Sequence, residues 1–255
     1  MRFVSEDHSG YFRRSLAALE AKNGASEAVR ERLARQVAAP LDAAAIDALL
    51  DGYADGRRLE QEGAFAGAVL RRLRQWVMLT LIERDITGRA ELDEVCHAMT
   101  HLARRATGCA LRVAGFELTE QFGAALDSEG EPQDLLAVAM GKGGADELNV
   151  SSDLDLVFVF RDEGQSAGGA SGRSIASGEW MHRAARRTIE LLSEITPDGF
   201  VFRVDTRLRP NGDSGPLVAS LSMLEQYFYS QGREWERFAW LKAHVIADTG
   251  QDRKS

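Results

Sequence analysis

Two patterns of apolar positions divide this chain. From about residue 11 to residue 126, apolar residues recur at helical spacing among Ala, Leu, Arg and Glu, with one proline, Pro40. Phe65, Val69, Leu70, Leu73, Val77 and Leu81 fall on one face in an i, i+4, i+5, i+8 order, which predicts an amphipathic helix. The stretch "DITGRAEL" (85–92) predicts a break, with Gly88 ending one helix and Thr87 capping the next. That next helix is expected from about Ala90 to Leu126.

After Gly130 the period changes. "DLLAVAM" (134–140), "DLDLVFVF" (153–160) and "GFVFRVDTRL" (199–208) read as strands. A Gly/Ser-rich loop, "GQSAGGASGRSIASG", is expected to be mobile and precedes a helix, "EWMHRAARRTIELLSEI". Two further helices, "SLSMLEQYFYS" and "GREWERFAWLKAHVIAD", are expected before a polar tail, "TGQDRKS". There is no internal repeat. The order implies an α+β fold, with an N-terminal helical bundle followed by a mixed-sheet domain and C-terminal helices.

Composition narrows the class. The 44% hydrophobic and 27% charged content over 255 residues is that of a soluble globular protein with room for two lobes. No apolar stretch approaches the roughly 18–20 residues that span a bilayer. The start has no secretory pattern, so the cytoplasm is the expected location. Cys96 and Cys109 have no CxxC partner and are expected as buried thiols in a reducing compartment. The net charge of −8, from 31 basic and 39 acidic residues, argues against a nucleic-acid partner and for a protein or small-molecule substrate. Arg71 to Arg74 read as a solvated helix face, whereas the arginines of "RVDTRLRP" lie among candidate chemistry.

That chemistry starts from alternation. Along a strand, Asp153, Asp155, Val157 and Val159 share one face, and Leu154, Leu156, Phe158 and Phe160 the other. The same rule puts Val201, Arg203 and Asp205 together. Two carboxylates one pleat apart repel unless a cation lies between them. A third on a neighbouring strand would complete a set for Mg²⁺, a hard cation that takes carboxylates, water and phosphate. Upstream, Gly143 and Gly144 follow a strand and open a helix, where bare N–H groups can meet an anion. Lys142 adds a point charge, Ser151 and Ser152 hydroxyl donors, and Arg207 and Arg209 bidentate phosphate binding. Alone, Gly-Gly is a turn and Asp-x-Asp a cap or a solvated edge. In combination with Asp205 they read as parts for moving a nucleotidyl group.

These residues resemble a known family. The glycine turn, the Asp-x-Asp and a third strand carboxylate are similar to the nucleotidyltransferase fold of DNA polymerase β type. More closely, "GKGGADELNVSSDLDLVFVF", "FRVDTRLRPNGDSGPLV" and "QGREWERFAWLKAHVI" resemble the bifunctional glutamine synthetase adenylyltransferase/adenylyl-removing enzymes, and "LRRLRQWVMLTLIERDITGRAELDEV" extends the likeness. The resemblance implies a helical region over 1–107 and a nucleotidyltransferase catalytic domain over 108–255, truncated on its C-terminal side. It implies Asp153, Asp155 and Asp205 as catalytic metal carboxylates and Mg²⁺ as the cofactor. It also implies ADP, ATP and phosphate as small ligands and glutamine synthetase as protein substrate, with AMP removed by phosphorolysis. "GDSGPLV" and "GREWERFAWLKA" look more like the N-terminal, adenylyl-removing half of such enzymes. The family's second catalytic domain has no match here, so the chain is expected to be an excised piece or a short relative, and control by the PII protein would act through regions it lacks. Where the family has Lys-Leu-Gly-Gly, this chain has Lys142, Gly143, Gly144 and Ala145. Ala145 takes a positive φ less readily than the glycine it replaces.

Other features carry simpler readings. Cys96, His97 and His101 have zinc-like spacing without a fourth ligand, and read as helix surface. His182 and His244 are isolated and have no assigned catalytic role. Arg233, Glu234, Glu236 and Arg237 read as a salt-laced helix face, or as part of a nucleotide or protein site. Trp235, Phe238 and Trp240 are expected in the core, and Lys242 is an outlying phosphate candidate. Two competing functions remain, namely the adenylyltransferase direction or another protein nucleotidyltransferase of this fold, and a non-catalytic regulatory or docking module.

Overall fold

The structure, a computed structural model, describes residues 1–170 and 172–251. Ten helices and five strands follow one another along the described chain: α1 (Ser5–His8), α2 (Gly10–Asn23), α3 (Ser26–Val37), α4 (Ala43–Ala54), α5 (Gly63–Ile86), α6 (Leu92–Phe122), β1 (Leu135–Ala139), α7 (Gly141–Gly144), β2 (Leu154–Phe160), α8 (Ser177–Ser193), β3 (Val204–Asp205), β4 (Val218–Ser220), α9 (Leu221–Ser230), α10 (Glu234–Trp240) and β5 (His244–Asp248). The fold is α+β. None of the described helices is long and apolar enough to cross a membrane.

The chain forms two compact units. The first comprises Met1–Gly56, Val69–Leu102 and Asp146–Ser152; the second comprises Arg57–Ala68, Ala103–Ala145 and the described residues of Asp153–Ser255.

The first unit is helical, and its helix ends follow local chemistry. Ser9 accepts from the Phe12 N–H at the start of α2, and Asp42 accepts from the Ala45 N–H at the start of α4. Gly24, in the left-handed region, ends α2. Phe12, Leu16, Leu33, Ile46, Leu73, Trp76, Val77 and Leu81 are fully buried. The helical face expected in α5 is the buried one, with Phe65 half-buried and Val69, Leu70, Leu73, Val77 and Leu81 buried. Glu83 is buried and accepts the N–H groups of Val4 and Ser5 at 3.1 and 2.8 Å, fixing α1. Arg84, also buried, donates to the Val37 carbonyl at 2.8 Å and grips Glu94.

Some expectations for this unit change. Arg74 is not on a solvated face; it is buried, with Nη1 3.4 Å from the Tyr11 hydroxyl. Thr87 does not cap α6, because its hydroxyl donates back to the Glu83 carbonyl at 2.6 Å and so closes α5, while Gly88 takes the left-handed conformation expected of it. His101 Nε2 lies 3.0 Å from Asp47, His97 is exposed, and Cys96 is half-buried rather than buried.

The second unit is built on a mixed five-stranded sheet of order β3-β2-β1-β5, with β4 also on β2. β1 runs antiparallel to β2 and β5, whereas β3 and β4 run parallel to the two ends of β2. Leu154, Leu156, Phe158 and Phe160 are all buried, each stabilising the fold by about 1.5–3 kcal/mol relative to exposure. A slip of one residue would replace them with Asp153 and Asp155, so burial fixes the register of β2. On the opposite face Val157 and Val159 join Val138 and Met140 in a cluster covered by Leu208, Leu224, Ala239, Trp240 and Ala243.

Several sequence expectations fail in this unit, three of them because backbone groups find other partners. The strand read over 199–208 shrinks to Val204–Asp205, since the Val201 and Phe202 amides both donate to the Leu192 carbonyl at the end of α8. The helix read through Asp248 ends at Trp240, and His244–Asp248 pairs with β1. Trp235 and Phe238 are exposed rather than in the core; Trp240 alone of the three packs inward, edge-on to Phe228. The Gly/Ser-rich loop is held rather than free. The Ala167, Gly168 and Ala170 amides donate to the carbonyls of Ala124, Phe122 and Glu120, although Ser171 lies outside the described residues. The polar tail also docks at its start. Thr249 is buried and its hydroxyl donates to Asp134, which also accepts the Gln251 amide; residues 252–255 lie outside the described residues.

Candidate active site

β2 and β3 position the carboxylates. They pair in parallel with Leu154 opposite Val204 and Asp155 opposite Asp205. Leu154 faces the core, so alternation turns Asp155 to the other face. There it is half-buried at the end of the valine cluster. Asp153 precedes β2 and is exposed; the Leu154 amide beside it donates to the Arg203 carbonyl at 2.9 Å.

The three carboxylates have different partners. Asp153 accepts from Arg203 Nε. Asp205 is held by Arg207 through its backbone N–H at 2.8 Å, through Nε at 3.0 and 2.8 Å to the two carboxylate oxygens, and through Nη2. The Arg207 bond holds the Asp205 carboxyl below the usual range. Among the described residues, by contrast, no group donates a hydrogen bond to the Asp155 carboxylate. Burial raises its pKa, and the charges of Asp205 and Asp153 add to the rise. A half-buried carboxylate opposed by two others and without a donor is a site short of positive charge. The donor set, three aspartates and no soft ligand, suits Mg²⁺. No three of the described His, Cys, Asp and Glu residues are gathered into a ready-made metal cage. Arg203 and Arg207 hold the two outer carboxylates instead.

The glycine turn does more for packing than the sequence indicates. Gly141 has φ +53°, and a Cβ there would meet Asp155 Oδ2 at 3.0 Å. The Met140 amide donates to the Asp155 carbonyl at 2.9 Å, so Gly141 lets the turn pass close over the carboxylate. Gly144 lies against the Lys242 carbonyl with no room for a side chain, and its N–H donates to Met140. Its amide is therefore used within the turn rather than offered to an anion. Gly143 is buried and Lys142 exposed beside it. Ala145 has φ −93°, so no positive φ is required where this chain departs from Lys-Leu-Gly-Gly; the left-handed positions are Gly141 and Asp146.

The remaining candidates divide. Ser151 and Ser152 belong to the first unit, where both hydroxyls lie within 3.1 Å of Asn149 Oδ1. Arg209 points back into its own loop and donates to the Thr206 carbonyl at 2.8 Å and hydroxyl at 2.7 Å. Its side chain is only 11% exposed, against 73% for Arg207, so Arg209 shapes the loop while Arg207 is accessible. Glu236 ties α10 to α9 by accepting from the Tyr227 hydroxyl at 2.6 Å and the Arg233 amide at 2.7 Å. Arg203 and Gly141 were not among the site candidates. Arg203 shares a strand face with Asp205, and Gly141 closes the run "VAM", and those were the available signals.

The sequence matches the family described as glutamate-ammonia ligase adenylyltransferase over residues 23–255. It is 49% identical over 246 residues to the bifunctional glutamine synthetase adenylyltransferase/adenylyl-removing enzyme of Burkholderia pseudomallei, covering 96% of this chain and 26% of that protein. It is 48% identical to the protein of the same name from Ralstonia nicotianae, over 86% of this chain and 23% of the relative. For the Bordetella pertussis protein the identity is 50% over 73% of this chain and 20% of the relative. The chain thus spans about a quarter of the length of the curated relatives it matches. Over the stretch it does span, from the helices of the first unit to the strands that carry Asp155 and Asp205, the chain belongs to the glutamate-ammonia ligase adenylyltransferase family.

Proposed function

We propose that the second unit is a Mg²⁺-dependent nucleotidyltransferase site that removes AMP from adenylylated glutamine synthetase by phosphorolysis. The observation that carries this reading is the Asp155–Asp205 register pair, with Asp155 half-buried and, among the described residues, without a donor. Asp153, Asp155 and Asp205 would hold the cation. When bound, it supplies charge stabilisation at the reacting phosphorus.

The chain's own groups do the rest. Asp155 is fixed by the β2 register and by the Gly141 turn, so little reorganisation is needed at the reacting centre. Arg207, which grips Asp205, and Lys142, which follows Gly141 in the turn, are exposed cations and would orient the incoming phosphate. A phosphate oxygen forms the new bond to the adenylyl phosphorus, and the bond to the substrate tyrosyl oxygen breaks. That oxygen takes a proton from solvent or the substrate, and ADP leaves. The motifs "GDSGPLV" and "GREWERFAWLKA" favour this direction over transfer of AMP from ATP. Control through the PII protein would need regions outside this chain.

The test is ADP release from adenylylated glutamine synthetase in the presence of Mg²⁺ and phosphate. Release that disappears in Asp153→Asn supports the reading. Labelling of unmodified glutamine synthetase by ATP without any phosphorolysis would instead assign the adenylyltransferase direction. A folded protein inactive in both directions would be a docking module.

A further inference from the structure

Arg207 takes up most of the acceptor capacity of Asp205. A carboxylate offers about four lone pairs, and Arg207 alone aims three N–H donors at this one: its backbone N–H at Oδ1, Nε–H shared between the two oxygens, and Nη2–H at Oδ2. Coordination of a cation by Asp205 therefore competes with these contacts, and the guanidinium charge opposes the approach of any cation. Arg203 stands in the same relation to Asp153 through a single bond, which leaves acceptor capacity on that carboxylate.

The Arg207 side chain is mostly exposed, and its side-chain hydrogen bonds all go to Asp205, two positions away. It can swing out without opening a cavity, and the Asp205 carboxylate it leaves, 19% exposed, takes the cation in its place. A guanidinium this exposed is screened by water and easily exchanged. Once released, a guanidinium beside a cation-loaded carboxylate meets the anion that cation attracts, and its planar fork suits phosphate oxygens.

We propose that Arg207 is an exchangeable counter-ion of the carboxylate site. It occupies Asp205 until a divalent cation and a phosphate-bearing ligand arrive together, and then passes from the carboxylate to the phosphate. Cation and phosphate binding are thereby coupled: each makes the other stronger, and Arg207 carries the coupling. The inference rests on the reading of Asp153, Asp155 and Asp205 as metal carboxylates.

The experiment titrates the whole chain with Mn²⁺, following free Mn²⁺ by electron paramagnetic resonance, with and without inorganic phosphate. Wild type, Arg207→Gln, Arg207→Lys and Asp155→Asn are compared, with circular dichroism to verify folding. Without phosphate, Arg207→Gln is expected to bind Mn²⁺ at least threefold more tightly than wild type, and Arg207→Lys to lie between them. Phosphate is expected to tighten Mn²⁺ binding severalfold in wild type and to do little in Arg207→Gln. Unchanged or weaker Mn²⁺ binding in Arg207→Gln overturns the exchange, and an undiminished effect of phosphate in that variant overturns the coupling. If Asp155→Asn abolishes Mn²⁺ binding while the Arg207 variants behave as wild type, the metal site stands and only this proposal falls. Mn²⁺ binding unaffected by Asp155→Asn removes both.

Discussion

Asp155 and Asp205 sit directly opposite one another on neighbouring parallel strands, β2 and β3, and only Asp205 has a guanidinium of its own. The pair is therefore asymmetric. Arg207 neutralises Asp205, while Asp155 is left between its charge and that of Asp153.

Asp155→Asn should stabilise the protein in EDTA. The Asp155 pKa is raised on folding, so the native state binds the proton more tightly than the unfolded chain. Its contribution is favourable at low pH and declines as pH rises through its native value. Half-exposure limits the size, and a gain in melting temperature of roughly 1–2 °C at pH 7 is expected. The gain should vanish at a pH low enough to protonate Asp155. Thermal denaturation at the two pH values checks this, and a lower melting temperature at pH 7 would contradict it.

The two glycines of the turn should respond differently to alanine. Gly141→Ala places a Cβ at φ +53° and 3.0 Å from a carboxylate oxygen, a cost of about 1–2 kcal/mol that also pushes on Asp155. Gly144→Ala meets backbone at Lys242 and Ala139, which cannot move aside as a side chain can. Its cost should exceed that of Gly141→Ala, at about 3 kcal/mol or more. Urea denaturation would rank them. The reverse order would show that the close passage of the Lys242 segment is not a constraint.

In the first unit, Arg84→Ala should cost about 3 kcal/mol, because it strands the Glu94 charge and the Val37 carbonyl. The Arg84 bond holds the Glu94 carboxyl below its usual range, with help from the Leu41 N–H. That contribution is fully present above the unfolded carboxyl pKa and is lost as pH falls through the lower, native value. Acid titration of stability should therefore be shallower in Glu94→Gln than in wild type.

Gly169→Ala should release the loop that follows β2. A Cβ there would lie 2.6 Å from the backbone of Gln121, Phe122 and Gly123. Amide exchange at Ala167, Gly168 and Ala170 should accelerate by at least tenfold, with little change at Leu156 or Phe158 in the centre of the sheet. Unchanged exchange at the three amides would mean that the loop tolerates the displacement.

Legibility followed the range of the forces involved. The helix face through Val69, Leu73, Val77 and Leu81 and the alternation of β2 were readable, because each depends on neighbours along one element. Residues 199–203 have the apolar texture of a strand, yet Val201 and Phe202 give their amides to the end of α8, which no local pattern records. "AHVIAD" looks helical after "EWERFAWLK" and becomes a strand only because β1 offers an open edge. The Gly/Ser composition of 164–178 signals freedom in isolation, but small residues also permit close backbone approach, and here they dock on the end of α6.

The sequence by itself determined the buried face of α5, the alternation of β2 and the likeness to the family, because side-chain period and motif spacing are properties of the chain. Only the tertiary structure decided that Asp155 faces Asp205, that Arg207 grips one carboxylate while no described residue donates to the other, and that Gly141 rather than Ala145 takes the left-handed turn. The first of these relations arises from the pairing of strands about fifty residues apart, and strand pairing is set by burial of Leu154, Leu156, Phe158 and Phe160 rather than by any local preference of the carboxylates themselves.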